Sequence, residues 1–285
     1  MWSQIVRRSY SAGVSQPPDA AARPQSLLLI YFGDFVVESG GLVASSSVLD
    51  LLGAAGVGEA AARATLSRMT RRGLLRRATH GRRAWFGLSD AGRPEVLEGR
   101  ARFRDADPAP DAWDGAWTVV AFSMPEAWQR ERHDLRNRLT WAGFGPAQAG
   151  LWVAPRRVDI VAVVAGLGVE EHLRVFEGAP AGPTDAARLA AEAWDLDAVA
   201  ARYDGFLERW ADGGPVTGSA LARYVMLGAD WLQVVRKDPR LPADFLPDGW
   251  PAVRSRARFR GLLDDLTAPA TAEFAERAEV IPDPG

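Results

Sequence analysis

The chain has 285 residues, 47% of them hydrophobic and 25% charged, so it can form two or three domains with substantial apolar cores. It contains no cysteine and no long apolar run, which excludes disulfides, cysteine metal sites and a predicted membrane span. Residues 61–104 carry 12 arginines and three acidic residues, a charge of +9, so the rest of the chain carries −11 against an overall −2. This asymmetry is typical of a protein with a nucleic-acid-binding end, although a solvated basic face without a partner would have the same composition.

The first predicted elements are helices that follow a tail. Residues 1–23 are rich in Ser, Gly, Ala and Pro and are predicted to be disordered. A helix is predicted from Pro24 with Ser26 as its cap, because apolar residues then recur at helical spacing as far as Phe35. After the break at residues 40–41, Ser45 or Ser46 is predicted to cap a short second helix.

A third helix and a basic hairpin complete this region. The spacing predicts a helix over about residues 59–72 that ends at Gly73. Two strands are predicted over residues 74–77 and 83–88, joined by a turn at residues 79–82. Two helices, a turn and a basic wing are the order of a winged helix-turn-helix, in which the recognition helix enters the major groove of DNA. Residues 24–90 are therefore predicted to form a DNA-binding domain.

The third helix supplies the candidate base contacts. If Ala62 and Leu66 face the core, the opposite face presents Arg63, Ser67 and Arg68. Arg63 is the first candidate to contact guanine, a bidentate pairing worth about 1–3 kcal/mol of discrimination. Ser67 and Arg68 are candidates for base or phosphate contacts. Phosphate contacts are predicted for the arginines beyond them, although any one of these could simply solvate the surface: Arg71, Arg72, Arg76, Arg77, Arg82 and Arg83.

The remaining chain predicts two further domains, so the fold class is α+β and multidomain. Residues 91–112 form a predicted helical linker. Residues 113–180 interleave three predicted strands with two helices, which favours a ferredoxin-like α/β domain. Residues 184–277 are predicted to form a helical C-terminal domain.

Seven collinear segments resemble a known family. They read Pro-Gln-Ser-Leu-Leu-Leu-Ile-Tyr-Phe-Gly-Asp-Phe at 24–35, Gly-Val-Gly-Glu-Ala-Ala-Ala-Arg-Ala-Thr-Leu-Ser-Arg-Met at 56–69, Gly-Leu-Leu at 73–75, Gly-Arg-Arg at 81–83, Trp-Asp-Gly-Ala-Trp-Thr-Val-Val at 113–120, Asp-Pro-Arg-Leu-Pro at 238–242 and Leu-Pro-Asp-Gly-Trp at 246–250. Together they resemble the PaaX-type transcriptional repressors. The resemblance implies a winged helix, a ferredoxin-like middle domain, a helical C-terminal domain and an acyl-CoA inducer, which is phenylacetyl-CoA in the founding members. We therefore expect a cytoplasmic repressor of a catabolic operon.

The partners expected on this hypothesis are double-stranded operator DNA, a second copy of the chain and the acyl-CoA effector. A homodimer is expected because one winged helix contacts few bases and paired half-sites supply the missing specificity; the middle domain is the expected interface. Most tryptophans are expected in the cores, but an aromatic acyl group and CoA phosphates would need aromatic and basic side chains. The effector-binding candidates are Trp128, Trp152, Trp231, Arg223 and Arg236.

The sequence leaves two other function classes as alternatives. A ligand-independent regulator or an activator could use the same winged helix. The middle domain also resembles the small ferredoxin-like nucleases of CRISPR adaptation, which need an aspartate after the first strand for their metal. Ser123 and Met124 stand there instead, and His80, His133 and His172 have no metal-site spacing. The sequence therefore predicts no enzyme activity, catalytic residue, metal or cofactor.

Overall fold

The computed structural model describes residues 24–104 and 113–283. The predicted tail, residues 1–23, and residues 105–112 of the predicted linker lie outside the described residues. Within the described ranges the fold is α+β, with helices packed against two four-stranded antiparallel sheets. The α-helices are α1 (Pro24–Tyr31), α2 (Val37–Ser39), α3 (Ser45–Ala54), α4 (Glu59–Arg71), α5 (Gly92–Arg104), α6 (Gln129–Trp141), α7 (Ile160–Val164), α8 (Ala186–Ala193), α9 (Leu196–Arg209), α10 (Ala220–Val235) and α11 (Ala252–Arg277).

The first helical segment differs from its prediction at the cap. Helix α1 begins at Pro24, whose fixed φ suits a first helical position, so Ser26 lies inside the helix and is buried. The segment continues through a π-helical turn, Phe32–Val36, into α2 and ends where Gly40 adopts φ 62°. The predicted cap of α3 is also wrong, because Ala44 occupies the N-cap without a side-chain hydrogen bond and Ser45 is already helical.

The first sheet joins the two ends of the described chain. Its strands are β1 (Gly41–Ala44), β2 (Leu75–His80), β3 (Arg83–Leu88) and β8 (Val280–Pro282), in the order β2-β3-β1-β8. The hairpin β2–β3 matches the sequence prediction closely, whereas β1 and β8 were not predicted. Strand β8 pairs with β1 in the register Leu42↔Ile281, so the segment after α11 completes the sheet of the N-terminal region.

The second sheet contains β4 (Trp117–Phe122), β5 (Gly145–Gln148), β6 (Leu151–Ala154) and β7 (Leu173–Gly178), in the order β5-β6-β4-β7. Helices α6 and α7 cover one face through Leu135, Leu139 and Ile160. Helix α8 lies on the other face, where Ala190 and Ala193 contact Trp117. Strand β5 was not predicted, because it is short and begins with Gly-Pro.

One apolar core joins the N-terminal helices to the C-terminal helices. The buried residues of this core come from α1, α3, α4, β2 and β3 and also from α9, α10 and α11. Helix α1 packs directly on α10, so closely that a Cβ added at Gly228 would lie 2.9 Å from the side chain of Ile30. The helix that carries the candidate base contacts is therefore supported by residues more than 150 positions away in sequence.

Candidate nucleic-acid interface

Helix α4 presents a basic face to solvent. Ala62, Leu66 and Met69 are buried in the main core, and α3 packs alongside. The turn between α3 and α4 is closed by Gly56, which adopts φ 81°. The opposite face of α4 is exposed and contains small residues among the arginines: Ala60, Arg63, Ala64, Ser67, Arg68 and Arg71. Small side chains let the helix backbone approach the floor of a groove, while the arginines can reach past them.

Two of these arginines already have hydrogen-bond partners on the helix. Arg63 donates from Nε and Nη2 to Oε1 of Glu59, at 2.9 and 2.6 Å. The two side chains are 61% and 67% exposed, so the pair is weak and a base edge can replace the carboxylate. Arg68 donates from Nη2 to Oγ1 of Thr65 at 2.7 Å, which directs it along the helix.

The hairpin β2–β3 places further arginines at its tip and at its base. Gly81 and Arg82 form the two-residue turn between His80 and Arg83, and Gly81 adopts φ 63°. Glycine at the first turn position suits a II′ hairpin, which follows the twist of the strands. Arg82 and Arg83 are exposed there, and Arg71 and Arg72 are exposed where α4 ends.

Two arginines that are predicted to contact phosphate form ion pairs with acidic side chains that the sequence analysis did not identify. Arg76, half-buried on β2, forms an ion pair with Asp283, and Arg83 forms one with Glu279. The acids lie about 200 residues further along the chain, immediately before and after β8. No local pattern links them to the hairpin, so only the pairing of β8 with β1 reveals the contact.

The five effector candidates fall in two separate regions. Trp128 is half-buried and lies edge-on to His172, with ring centroids 4.8 Å apart. His172 lines a cleft of about 500 Å³ at the end of β4, with Ser123 and Arg174 among the other lining residues. Trp152 is buried in the core under this end of the sheet.

The other three candidates lie on α10 or, for Arg236, directly after it, among the C-terminal helices. Trp231 is 1% exposed and stacks on Phe259 at 4.7 Å, so it is a core residue in this conformation. Arg223 donates to the carbonyl of Gly213 at 2.6 Å, and Arg236 lies 5.7 Å from the ring centre of Trp141. The structure therefore does not bring the five candidates into one pocket.

The Asp-Pro-Arg-Leu-Pro motif has a structural contact in the same region. Asp238 accepts a hydrogen bond from the hydroxyl of Tyr203 and another from the backbone NH of Arg240. Burial, and then the charge of Asp238, raise the pKa of the Tyr203 hydroxyl, so it stays a donor. Asp230, nearby on α10, accepts from Arg209 and Trp210, but burial raises its pKa more than these donors lower it.

A metal-dependent nuclease of this fold would have an aspartate at the end of β4. Ser123 and Met124 follow this strand, as the sequence shows. Among residues 24–104 and 113–283, no group of three His, Asp or Glu side chains is placed to hold a metal ion. Over the same residues, no helix is long and apolar enough to cross a membrane.

Comparisons with known proteins cover most of the chain. Three family models match in order: PaaX-like protein over residues 23–92, PaaX protein central Cas2-like domain over 110–190, and PaaX-like protein C-terminal domain over 194–277. The transcriptional repressor PaaX of Escherichia coli K12 is 28% identical over 279 residues, which cover 91% of this chain and 87% of that protein. An uncharacterized protein from Mycobacterium tuberculosis has a similar fold, with a TM-score of 0.58 and 24% identity over 89% of this chain and 98% of its own.

Proposed function

The chain belongs to the PaaX family of transcriptional regulators, and from this premise we propose that it is a repressor that binds operator DNA through α4 and the β2–β3 hairpin. One observation carries the proposal: α4 buries Ala62, Leu66 and Met69 and turns its arginine face outward beside a basic hairpin. This is the arrangement in which a recognition helix enters the major groove and a wing contacts the backbone.

Specificity and affinity are divided between the two elements. Arg63, with Ser67 and Arg68, contacts base edges from the exposed face of α4. The arginines at the end of α4 and on the hairpin contact phosphates, which adds affinity and salt dependence without sequence preference. These are the residues Arg71, Arg72, Arg76, Arg82 and Arg83.

Three domains are part of the proposal. The α3–α4 pair with the hairpin supports a winged helix over residues 24–90, followed by the helical linker at 91–112. The order β4-α6-β5-β6-α7-β7, with strand order β5-β6-β4-β7, supports a ferredoxin-like domain over 113–180. Helices α9 to α11, which share one apolar core, support the helical domain proposed over 184–277, whereas α8 within that range packs on the second sheet.

The protein acts as a homodimer through its middle domain. Strand β7 is an outer strand of its sheet, and five of its six residues are exposed, including Phe176 at 62%. An exposed apolar edge strand can pair with a second copy. The resulting dimer would present two recognition helices to half-sites about one helical turn, roughly 34–36 Å, or a multiple apart.

An aromatic acyl-CoA of the phenylacetyl-CoA type relieves repression. The cleft lined by Phe122, His172 and Arg174 supports this proposal because it combines aromatic, polar and cationic side chains, and Trp128 contacts His172 from outside the lining. Binding there must favour one conformation of the protein over another to change DNA affinity.

In vitro transcription from the promoter upstream of the gene tests the proposal. We expect the purified protein to lower transcript yield and phenylacetyl-CoA, but not free CoA, to restore it. Lowered yield that no thioester restores would support a ligand-independent repressor instead. Increased yield would identify an activator, and unchanged yield would contradict regulation at this promoter.

A further inference from the structure

The segment after α11 is built into the sheet of the proposed DNA-binding region. Beyond the hydrogen-bonded register of β8 with β1, the backbone NH of Ala44 donates to the carbonyl of Glu279 at 2.9 Å. The backbone NH of Glu279 donates to Oγ of Ser47, at the start of α3, at 3.0 Å. Gly41 approaches so closely that a Cβ there would lie 2.4 Å from the carbonyl oxygen of Ile281. The C-terminal family match ends at residue 277, before this strand.

The outer face of this sheet has a small apolar centre with charges around it. Leu42, Ala44 and Trp85 form the centre, and Ile281 of β8 packs against them. Because side chains alternate along a strand and Ala78 pairs with Trp85, Arg76 and Arg83 project from this same face. Strand β8 therefore brings acidic side chains beside the arginines of the hairpin.

The two acids engage the two arginines in matched pairs. Glu279 contacts Nη1 of Arg83, and Asp283 contacts Nη2 of Arg76. A carboxylate oxygen accepts hydrogen bonds from a guanidinium group much as a phosphate oxygen does. The same N–H donors therefore cannot bind a carboxylate and a phosphate fully at the same time. DNA that uses Arg76 and Arg83 must displace these carboxylates.

We propose that Glu279 and Asp283 are intramolecular substitutes for DNA phosphate, so that β8 sets the affinity of the hairpin for DNA. The inference rests on the proposed function and adds two residues that determine its affinity. In free protein the acids hold Arg76 and Arg83 ordered and neutralised. In the complex the arginines exchange carboxylate for phosphate, and the cost of that exchange lowers non-specific binding.

The test is a fluorescence-anisotropy titration of the full chain on a random-sequence duplex and on the upstream duplex. The double variant Glu279→Gln and Asp283→Asn keeps the backbone pairing of β8 but removes both charges. We expect it to bind both duplexes about two- to tenfold more tightly at low salt, because the Arg83–Glu279 pair is exposed and weak and the Arg76–Asp283 pair is only half-buried. The gain should shrink as salt increases.

Two further measurements separate this effect from net charge. The control Glu192→Gln with Asp197→Asn removes two exposed acids on α8 and α9, so it changes the net charge equally. A double-mutant cycle pairs Glu279→Gln with Arg83→Ala, and the gain from Glu279→Gln should disappear when Arg83 is absent. If the double variant does not fold, Glu279→Gln alone carries the test, since it leaves the Asp283 pair intact.

Tighter binding that depends on Arg83 supports the proposal. Unchanged or weaker binding, an equal gain from the control variant, or additive effects in the cycle would overturn it. Failure of the proposed function would give a different result, because the wild-type protein would then bind upstream and random DNA equally. The ratio of variant affinity to wild-type affinity on random DNA would still show whether Glu279 and Asp283 compete with phosphate.

Discussion

Tyr224 of α10 donates its hydroxyl hydrogen to Oδ2 of Asp34 at 2.9 Å, across 190 residues of sequence. Asp34 lies in the π-helical turn after α1, its side chain is only 3% exposed, and its other oxygen is 3.0 Å from Nε of Arg100 on α5. One buried carboxylate therefore ties the N-terminal helices, α5 and the C-terminal helices together.

Removing that hydroxyl should destabilise the whole protein. Tyr224→Phe leaves a buried carboxylate short of one donor, which costs about 1–3 kcal/mol. Urea unfolding should show a lower midpoint with an unchanged slope. Val216→Ala, at a fully exposed position, is the control and should leave the midpoint in place. An unchanged midpoint for Tyr224→Phe would mean that the hydrogen bond contributes nothing to folding.

Arg63 should determine sequence preference. Replacing it with Ala should reduce discrimination at one base position by about 1–3 kcal/mol, measured with a panel of single-base operator variants. The matched control is Arg188→Ala, which removes an exposed arginine paired with Glu192 at the same i,i+4 spacing on α8. A base preference that Arg63→Ala leaves intact would remove this residue from direct readout.

Arg82 should increase the affinity for DNA without affecting the preference for a base sequence. Arg82→Ala should weaken binding to all sequences alike and reduce the slope of log K against log salt by about 0.9, the value of one phosphate contact. Arg130→Ala, which removes an 89% exposed arginine from α6, should leave the slope unchanged. If Arg82→Ala and Arg130→Ala have the same salt slope, the hairpin tip does not contact phosphate.

Gly41 should be required for the docking of β8. In Gly41→Ala the added Cβ meets the carbonyl oxygen of Ile281 at 2.4 Å, and because the contact is with backbone it cannot be relieved by a rotamer change. We expect a loss of about 1–3 kcal/mol and faster amide hydrogen exchange at Ala44, which donates to Glu279. Gly53→Ala, in a helix with open space around it, should be neutral or stabilising. Slow exchange at Ala44 in Gly41→Ala would contradict the observed pairing.

Trp128 should affect the response to the thioester more than the binding of DNA. Trp128→Ala removes the aromatic ring beside His172 and should raise the phenylacetyl-CoA concentration needed for release, while DNA affinity without ligand stays the same. Val161→Ala, at an exposed position on α7 in the same region, is the control. If both variants respond like wild type, the effector binds elsewhere.

The elements that sequence analysis located are those that carry local patterns. Helix α4 has apolar residues at helical spacing, and the hairpin has a glycine turn between β-prone residues, so both were predicted, although β2 continues to His80, three residues beyond its predicted end. Strands β1 and β8 have no such pattern, because each is at most four residues long. Strand β1 pairs with β3 on one side and on the other with β8, where Leu42 lies opposite Ile281. The exposed arginine face could be deduced from helical spacing alone. The pairing of Arg83 with Glu279 could not, because it depends on tertiary structure.

The central claim, specific DNA binding, is tested most directly by competition anisotropy on a labelled duplex from the upstream region. Unlabelled upstream DNA and shuffled DNA of the same composition compete in parallel at physiological salt. We expect upstream DNA to compete about a thousandfold or more better than shuffled DNA, as it does for specific repressors. Equal competition by the two DNAs would contradict it and would leave the basic face of α4 as a non-specific surface.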